Sequence, residues 1–303
     1  MRLISYRKNG ELRIGVRGEE GVVDLAAAQA ARGGDRLPDE MVGLLALGEK
    51  GLAEAAAAAE SAVGRAELLV DDFELLPPVP EPPKIICVAR NYGEHAREAN
   101  LAVLEFPNLF IRFAESLIAD GEPVLVPEVS PQVDWEAELA VVIGRGGKHI
   151  AAEDAYDHVA GYALFNDVSV RDWQLRQKGG QFGAGKNFDG SGPFGPDLVT
   201  KDEVPDPMDL AIRLEVNGVT KQSSSTAEMI FSIPALIEFI SKFTTLTPGD
   251  VIATGTPSGV GHFREPREYL RPGDTVSVEV ERVGKQTNPV VAEAAVMAEG
   301  AVA

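Results

Sequence analysis

The order of apolar and polar positions divides the chain into stretches of different texture. Residues 1–23 carry short apolar runs, Leu3 to Tyr6, Leu12 to Val16 and Gly21 to Leu25, that read as strands. Asn9-Gly10 between the first two predicts a tight hairpin, because both residues tolerate positive φ. Residues 24–33 and 39–65 are rich in Ala, Leu and Glu at helical spacing, and the run from Gly51 to Val63 reads as a surface helix. Five prolines between Leu75 and Lys84 then remove donors and fix φ, which predicts an extended linker. Beyond Lys84 the chain turns to short runs rich in Val, Ile, Thr and Gly: Ile85 to Ala89, Pro123 to Pro127, Glu138 to Gly144, Val159 to Val168, Leu210 to Gly218, Asp250 to Gly259 and Asp274 to Gly284. Helices are predicted at Tyr92 to Ala99 and Thr226 to Phe243. Strands and helices do not alternate regularly, so the expected class is α+β, mostly β, with a mixed and largely antiparallel sheet system. The expected organisation is a small N-terminal α/β domain over 1–74, a Pro-rich linker over 75–84, a catalytic domain over 85–291 and an Ala-rich tail over 292–303.

Polar residues interrupt these runs in ways that carry chemistry. In the stretch from Val133 to Gly144, period-two alternation puts Asp134, Glu136 and Glu138 on one face of a strand and Trp135, Ala137 and Leu139 on the other. Alternation alone also fits a solvated edge. Three acids on one face beside an apolar run, however, call for a positive partner, and a hard divalent cation takes oxygen ligands. A further acid, Asp167, ends the apolar run Tyr162 to Phe165, with Arg171 and Gln174 following at steps of four and three, which shares one helical face. Asp172 points elsewhere and reads as a structural ion pair. His95 and Glu98 are three apart in the predicted helix after Ile85 to Ala89, so the carboxylate can hold and polarise the imidazole. His149 and His158 read as solvated.

Two glycine-rich segments follow. Gly179 to Lys186 ends in a lysine but lacks the Ser or Thr that a nucleotide-binding loop needs, since Asn187 comes next. It reads instead as a flexible loop presenting an ammonium to an anion. In Ala253 to Gly261, backbone N–H groups and the Thr256 hydroxyl suit a carboxylate.

Composition narrows the classes. The 303 residues fit about two domains. A formal net charge of −19 argues against nucleic acid and anionic membrane as partners. No apolar run approaches the ~18 residues of a membrane span, and the longest candidate, Met229 to Ile240, is broken by Ser232, Pro234 and Glu238. One cysteine, Cys87, allows no intrachain disulfide. With no secretory pattern visible, the expected address is cytoplasmic.

Together the stretches KIICVARNYGEHAREAN, VDWEAELAVVIGR, VAGYALFNDVSVRDWQ, GAGKNFDGSGPFGP and the long run from Leu214 to Gly261 resemble the fumarylacetoacetate hydrolase family over roughly residues 80–290. The resemblance implies the family's mixed β-sandwich roll and a homodimer. It also implies Mg²⁺ or Mn²⁺ held by Glu136, Glu138 and Asp167, a His95–Glu98 pair on a lid, and substrate contacts from Arg171, Gln174, Lys186 and Thr256. Phe110 to Leu117 departs from the family's Lys-Pro-x-Ser pattern, with Arg112 and Ser116 in its place and an unusual Glu115, and Ala184 is smaller than usual. The implied reaction is metal-dependent hydrolysis of a 2,4-dioxo acid (an acylpyruvate) to pyruvate and a carboxylic acid. There His95 activates water, and Lys186 serves catalysis where negative charge develops. Decarboxylation or isomerisation of a 2-oxo dicarboxylate through the same enolate is the alternative. A non-catalytic 2-oxo acid binding protein is another.

Overall fold

The computed structural model describes residues 1–98, 104–176 and 180–298. A twelve-stranded sheet forms the backbone of the molecule, in the order Leu69–Val70, Gly21–Asp24, Glu11–Gly18, Arg2–Lys8, Gly192–Thr200, Val159–Asn166, Ala137–Ile143, Val251–Ala253, Ile85–Ala89 and Asn108–Arg112, with two short strands off this path. Most pairs are antiparallel, but Val251–Ala253 runs parallel to Ile85–Ala89. A five-stranded sheet, Val219–Ser225, Ala211–Val216, Thr275–Val280, Gly284–Ala292 and Val124–Val126, packs against it. The α+β, mostly β expectation and the mixed sandwich roll are both observed.

Alternation along one segment explains how the sheets pack. Val133, Trp135, Ala137, Leu139, Val141 and Ile143 enter the core between the two sheets, with Leu214, Val278 and Ile240 opposite them. The intervening Ala140 and Val142 face the other side, in a second core with Leu3, Ile14, Leu44 and Ala55. Each such fully buried aliphatic contributes ~1.5–3 kcal/mol relative to exposure. This strand is therefore apolar on both faces at one end and acidic on one face at the other.

The N-terminal residues are built into the same body. Leu3 lies opposite Leu198 in the antiparallel pairing of Arg2–Lys8 with Gly192–Thr200. The hairpin turns at Asn9 and Gly10, at φ 54° and 80°. Asp24 ends its strand and caps the helix Leu25–Ala31 by accepting from the Ala27 N–H at 2.7 Å. Within the Pro-rich stretch, Glu74–Leu76 pairs with Arg2–Lys8 and the Pro78 carbonyl accepts from Ser5 Oγ at 2.8 Å. The division at 75–84 stays a proposal, and deleting 1–74 tests it.

Three local expectations need correction. The helix predicted from Thr226 begins later, at Ile233–Phe243, because Ser232 accepts from the Ala235 N–H and Pro234 fits only the first turn. The predicted loop before Lys186 contains a short helix, Phe182–Lys186. His158 is buried, its Nδ1 2.8 Å from the Arg145 carbonyl oxygen. The helix predicted to Ala99 is observed as Gly93–Glu98; Ala99 lies outside the described residues, as do Gly179 and the tail beyond Ala298.

Candidate active site

The acidic end of the central strand meets the end of its neighbour. Glu136 precedes Ala137–Ile143, Glu138 lies within it, and Asp167 follows Val159–Asn166. The Asp167 N–H donates to the Glu136 carbonyl at 2.9 Å, which locks the two strand ends together. One carboxylate oxygen from each of Glu136, Glu138 and Asp167 lies within 4.8 Å of the others, and all three residues are buried.

Cations surround this cluster. Lys186 Nζ is 2.8 Å from Glu136 Oε2 and 2.5 Å from Asp167 Oδ2. Arg171 reaches Glu136 Oε1 at 2.7 Å and donates to Gln174 Oε1 at 2.8 Å. Arg112 Nη1 is 2.6 Å from Asp167 Oδ1, and its Nη2 donates to Ser191 Oγ at 2.6 Å. The short helix carrying Lys186 approaches Gln174 closely, and only glycine at 185 permits it: a Cβ there would lie 2.4 Å from the Gln174 Cβ.

The charges are uneven. Burial would raise the Glu136 carboxyl, but Lys186 and then Arg171 outweigh it and hold it at about 2. Glu138 is pushed well above the ordinary range by burial, then by Asp167 and Glu136. Among the described residues its one hydrogen-bond donor is the Gly255 N–H, at 2.8 Å. A buried carboxyl beside two like charges with a single neutral donor is a position that a divalent cation would stabilise, and three carboxylates form the oxygen donor set such an ion prefers. The residues present therefore fit Mg²⁺ or Mn²⁺.

Across the same cavity, of about 540 Å³, stands the His95 ring. Its Nδ1 is 3.3 Å from Glu98 Oε2, and the Glu98 carboxylate in turn accepts from the Gly259 N–H at 3.1 and 3.2 Å. Buried Asn91 anchors the turn before this helix, donating to the Thr254 and Phe231 carbonyls at 2.8 and 3.0 Å and accepting from the Phe231 N–H at 2.8 Å. Arg171, Gln174, Lys186 and Thr256 line the same cavity, with Phe110, Phe182, Leu175 and Phe263 as an apolar wall. The structure thus brings His95, Glu136, Glu138, Asp167, Arg171, Gln174, Lys186 and Thr256 around one space, with Glu98 behind His95.

Other residues of this region were not legible in sequence, or were read differently. Asp134 shares the predicted face of Glu136 and Glu138 but stands apart from their cluster. It belongs to a separate short strand, Val133–Asp134, where it pairs with Arg171 Nε at 2.7 Å and accepts from the Gly261 and His262 N–H groups. Asp172 accepts from the Ser130 hydroxyl, and among the described residues it forms no ion pair. Arg112 fills its departure from the family pattern by pairing with Asp167, its Nε 3.4 Å from Ser116 Oγ, while Glu115 is exposed. Gln222 and His262 carried no spacing signal. His262 lines the cavity, its Nδ1 2.9 Å from the Tyr269 hydroxyl, and burial, then Arg171, hold its pKa below the usual value.

Comparison with known proteins places this arrangement. The family model for the fumarylacetoacetate (FAA) hydrolase C-terminal region matches residues 84–291. The chain is 45% identical over 295 residues to a protein of Xenopus laevis named oxaloacetate tautomerase fahd2, mitochondrial, covering 96% of this chain and 90% of that one. It superposes on the fumarylacetoacetate hydrolase of Exiguobacterium antarcticum with TM-score 0.82 at 34% identity, covering 97% of this chain and all (100%) of the other. Maleylpyruvate hydrolase from Sphingobium sp. SYK-6, solved with manganese(II) and pyruvate, matches with TM-score 0.76 at 32% identity over 96% of this chain and 99% of the other. The cytoplasmic expectation does not stand, because the Xenopus relative is named as mitochondrial. A missing secretory pattern and a lone cysteine fit any reducing compartment, so they carried no information about which one.

Proposed function

The chain belongs to the fumarylacetoacetate hydrolase family, and on that premise we propose that it is a divalent-metal enzyme acting on a 2-oxo acid through its enolate, with keto–enol tautomerisation of oxaloacetate as its reaction. The observation that carries this reading is the placement of His95 across one cavity from Glu136, Glu138 and Asp167. The Xenopus relative's name supports the choice of substrate.

A cation held by Glu136, Glu138 and Asp167 would supply Lewis-acid charge to the carboxylate and 2-oxo oxygens of the substrate. The remaining steps belong to the protein's own groups. Arg171, Gln174 and Thr256 receive carboxylate oxygens and orient the acid. His95, its ring held by Glu98, takes a proton from C3. The C3–H electron pair becomes the C2–C3 double bond, and the carbonyl pair moves onto the 2-oxygen. The Lys186 ammonium lies where that negative charge grows. His95 then returns the proton to the 2-oxygen, so enol forms with no net proton gained or lost. Phe110, Phe182, Leu175 and Phe263 present apolar surface to the bound acid.

A second reading, hydrolysis of an acylpyruvate, draws support from the Sphingobium hydrolase with its bound pyruvate. In that reaction His95 takes a proton from water, hydroxide attacks C4, the C3–C4 bond breaks, and the pair left on C3 is the pyruvate enolate. Incubating Mn²⁺-loaded protein with oxaloacetate and with a panel of 2,4-dioxo acids separates the readings. Enol absorbance rising without carbon loss selects tautomerisation. Pyruvate plus an acid selects hydrolysis, carbon dioxide selects decarboxylation, and binding without turnover of any acid overturns the enzymatic reading. A homodimer is part of the proposal, and light scattering at twice the chain mass checks it.

A further inference from the structure

The side chain of Gln222 does not itself line the cavity described above, yet it fixes how one wall residue can bond. It lies within Val219–Ser225, in the second sheet, and is buried at 1% exposure. Its Oε1 accepts from the Ala137 N–H at 2.9 Å, between two of the three clustered carboxylates in sequence. Its Nε2 donates to the Pro257 carbonyl at 2.8 Å and to Thr256 Oγ1 at 2.8 Å. A backbone N–H only donates and a carbonyl only accepts, so the amide has one orientation and cannot flip. Thr256 Oγ1 must therefore accept from Gln222. Its single proton is left to donate, and among the described residues nothing accepts it, while Thr256 faces the cavity at 3% exposure.

The loop holding Thr256 has little freedom to change this. Thr254 N–H and Oγ1 both donate to the Leu139 carbonyl, at 3.0 and 2.8 Å, and the Gly255 N–H donates to Glu138. Gly255 itself sits at φ 98°, and a Cβ there would fall 2.7 Å from the Asn91 side chain. The loop is thus seated on the carboxylate strand at two successive residues, with Gln222 bridging the loop and the strand.

We propose that Gln222 is a positioning residue that makes the Thr256 hydroxyl a one-way donor into the cavity, so that the subsite before it takes an oxygen bearing no proton, such as one carboxylate oxygen of the substrate, and rejects groups that must donate. This rests on the 2-oxo acid reading for the identity of the ligand, but it is tested by binding and not by turnover.

The experiment measures oxalate affinity by calorimetry on Mn²⁺-loaded wild type, Thr256→Val, Gln222→Met and the double variant, with Mn²⁺ affinity followed separately by electron paramagnetic resonance. Thr256→Val is expected to weaken oxalate about 10- to 100-fold, the loss of one hydrogen bond to a charged group. Gln222→Met, which frees the hydroxyl to turn, is expected to weaken it about tenfold, and the double variant no more than Thr256→Val alone, with Mn²⁺ affinity unchanged throughout. Multiplying losses in the double variant, lost Mn²⁺ binding in the Gln222 variant, or a wild type that does not bind oxalate would overturn the proposal. If the Gln222 variants do not fold, Thr256→Ser against Thr256→Val decides: retained affinity in serine alone supports the donor, and equal affinity in both overturns it. Oxalate binding that behaves as expected in a protein that turns over no 2-oxo acid would sink the proposed reaction and leave this inference standing.

Discussion

Arg112 offers the most direct test of how the acidic centre is held together. Its guanidinium is buried, pairs with Asp167 at 2.6 Å, donates to Ser191 and lies 5.6 Å from the Phe165 ring centroid. Arg112→Leu keeps much of the apolar stem volume but leaves buried Asp167 short of one cation. Removing one partner of a buried pair typically costs ~3–5 kcal/mol. Lys186 still faces the other Asp167 oxygen at 2.5 Å, so the lower end applies, about 3 kcal/mol, to which the lost aromatic contact adds ~0.5 kcal/mol or more. At about 2–4 °C per kcal/mol for chains of 150–250 residues, and somewhat less for a longer one, Tm should fall by roughly 5–10 °C in chelated protein. Mn²⁺ at 100 times its Kd should restore about 2.7 kcal/mol in wild type and more than that in the variant, because the ion replaces the missing charge. Arg112→Lys, which keeps the charge, should recover about half of the loss. Thermal and urea unfolding with and without Mn²⁺ read all of this. An Arg112→Leu protein within ~0.5 kcal/mol of wild type, the range of ordinary surface changes, would refute the charge argument. A lysine variant as damaged as the leucine one would show that shape matters and charge does not.

His95→Ala should lower turnover by a factor on the order of 10² or more while Mn²⁺ affinity stays as in wild type, a split that steady-state kinetics and metal titration check together. Glu138→Gln should remove tight Mn²⁺ binding, since the amide brings no charge, and calorimetry with Mn²⁺ reads it directly. The sign of the pH dependence follows from the same residue: because Glu138 is pushed well above its ordinary 4.5, it takes up a proton first as pH falls, so apparent Mn²⁺ affinity should begin to drop above pH 4.5 and recover as pH rises. Affinity that is flat down to pH 4.5 would contradict this. Deleting residues 1–74 should expose Ala140, Val142 and Phe165, which share a core with Leu3, Ile14 and Leu44, and the truncated protein should aggregate or bind a hydrophobic dye.

The parts of this protein legible in sequence are those written in local periods. Alternation from Val133 to Ile143 gave the two faces of the central strand, because a pleated strand sends neighbours to opposite sides whatever surrounds it. The step from Arg171 to Gln174 holds within the short helix Arg171–Gln174, but Asp167 shares no helical face with them: the strand Ser169–Val170 intervenes, and Asp167 reaches the same cavity from the end of Val159–Asn166. Residues whose role depends on distant partners escaped. Asp134 has the right parity for a metal ligand, but the strand breaks after it and Arg171 claims its carboxylate. Gln222 sits in an unremarkable polar strand and acquires its place only when the second sheet meets the Gly255 loop. His262 enters the cavity wall through a turn that no spacing announces. Register between separate sheets is set by the tertiary fold, and no local pattern encodes it.

The central claim is that Glu136, Glu138 and Asp167 hold one divalent ion on which 2-oxo acid chemistry depends. The measurement that tests it most directly adds Mn²⁺ stepwise to chelator-stripped protein and follows enol formation from oxaloacetate alongside bound metal. The account predicts negligible rate without metal and a linear rise that saturates at one ion per chain. A full rate in chelated protein, or a rate that ignores bound metal, would contradict it.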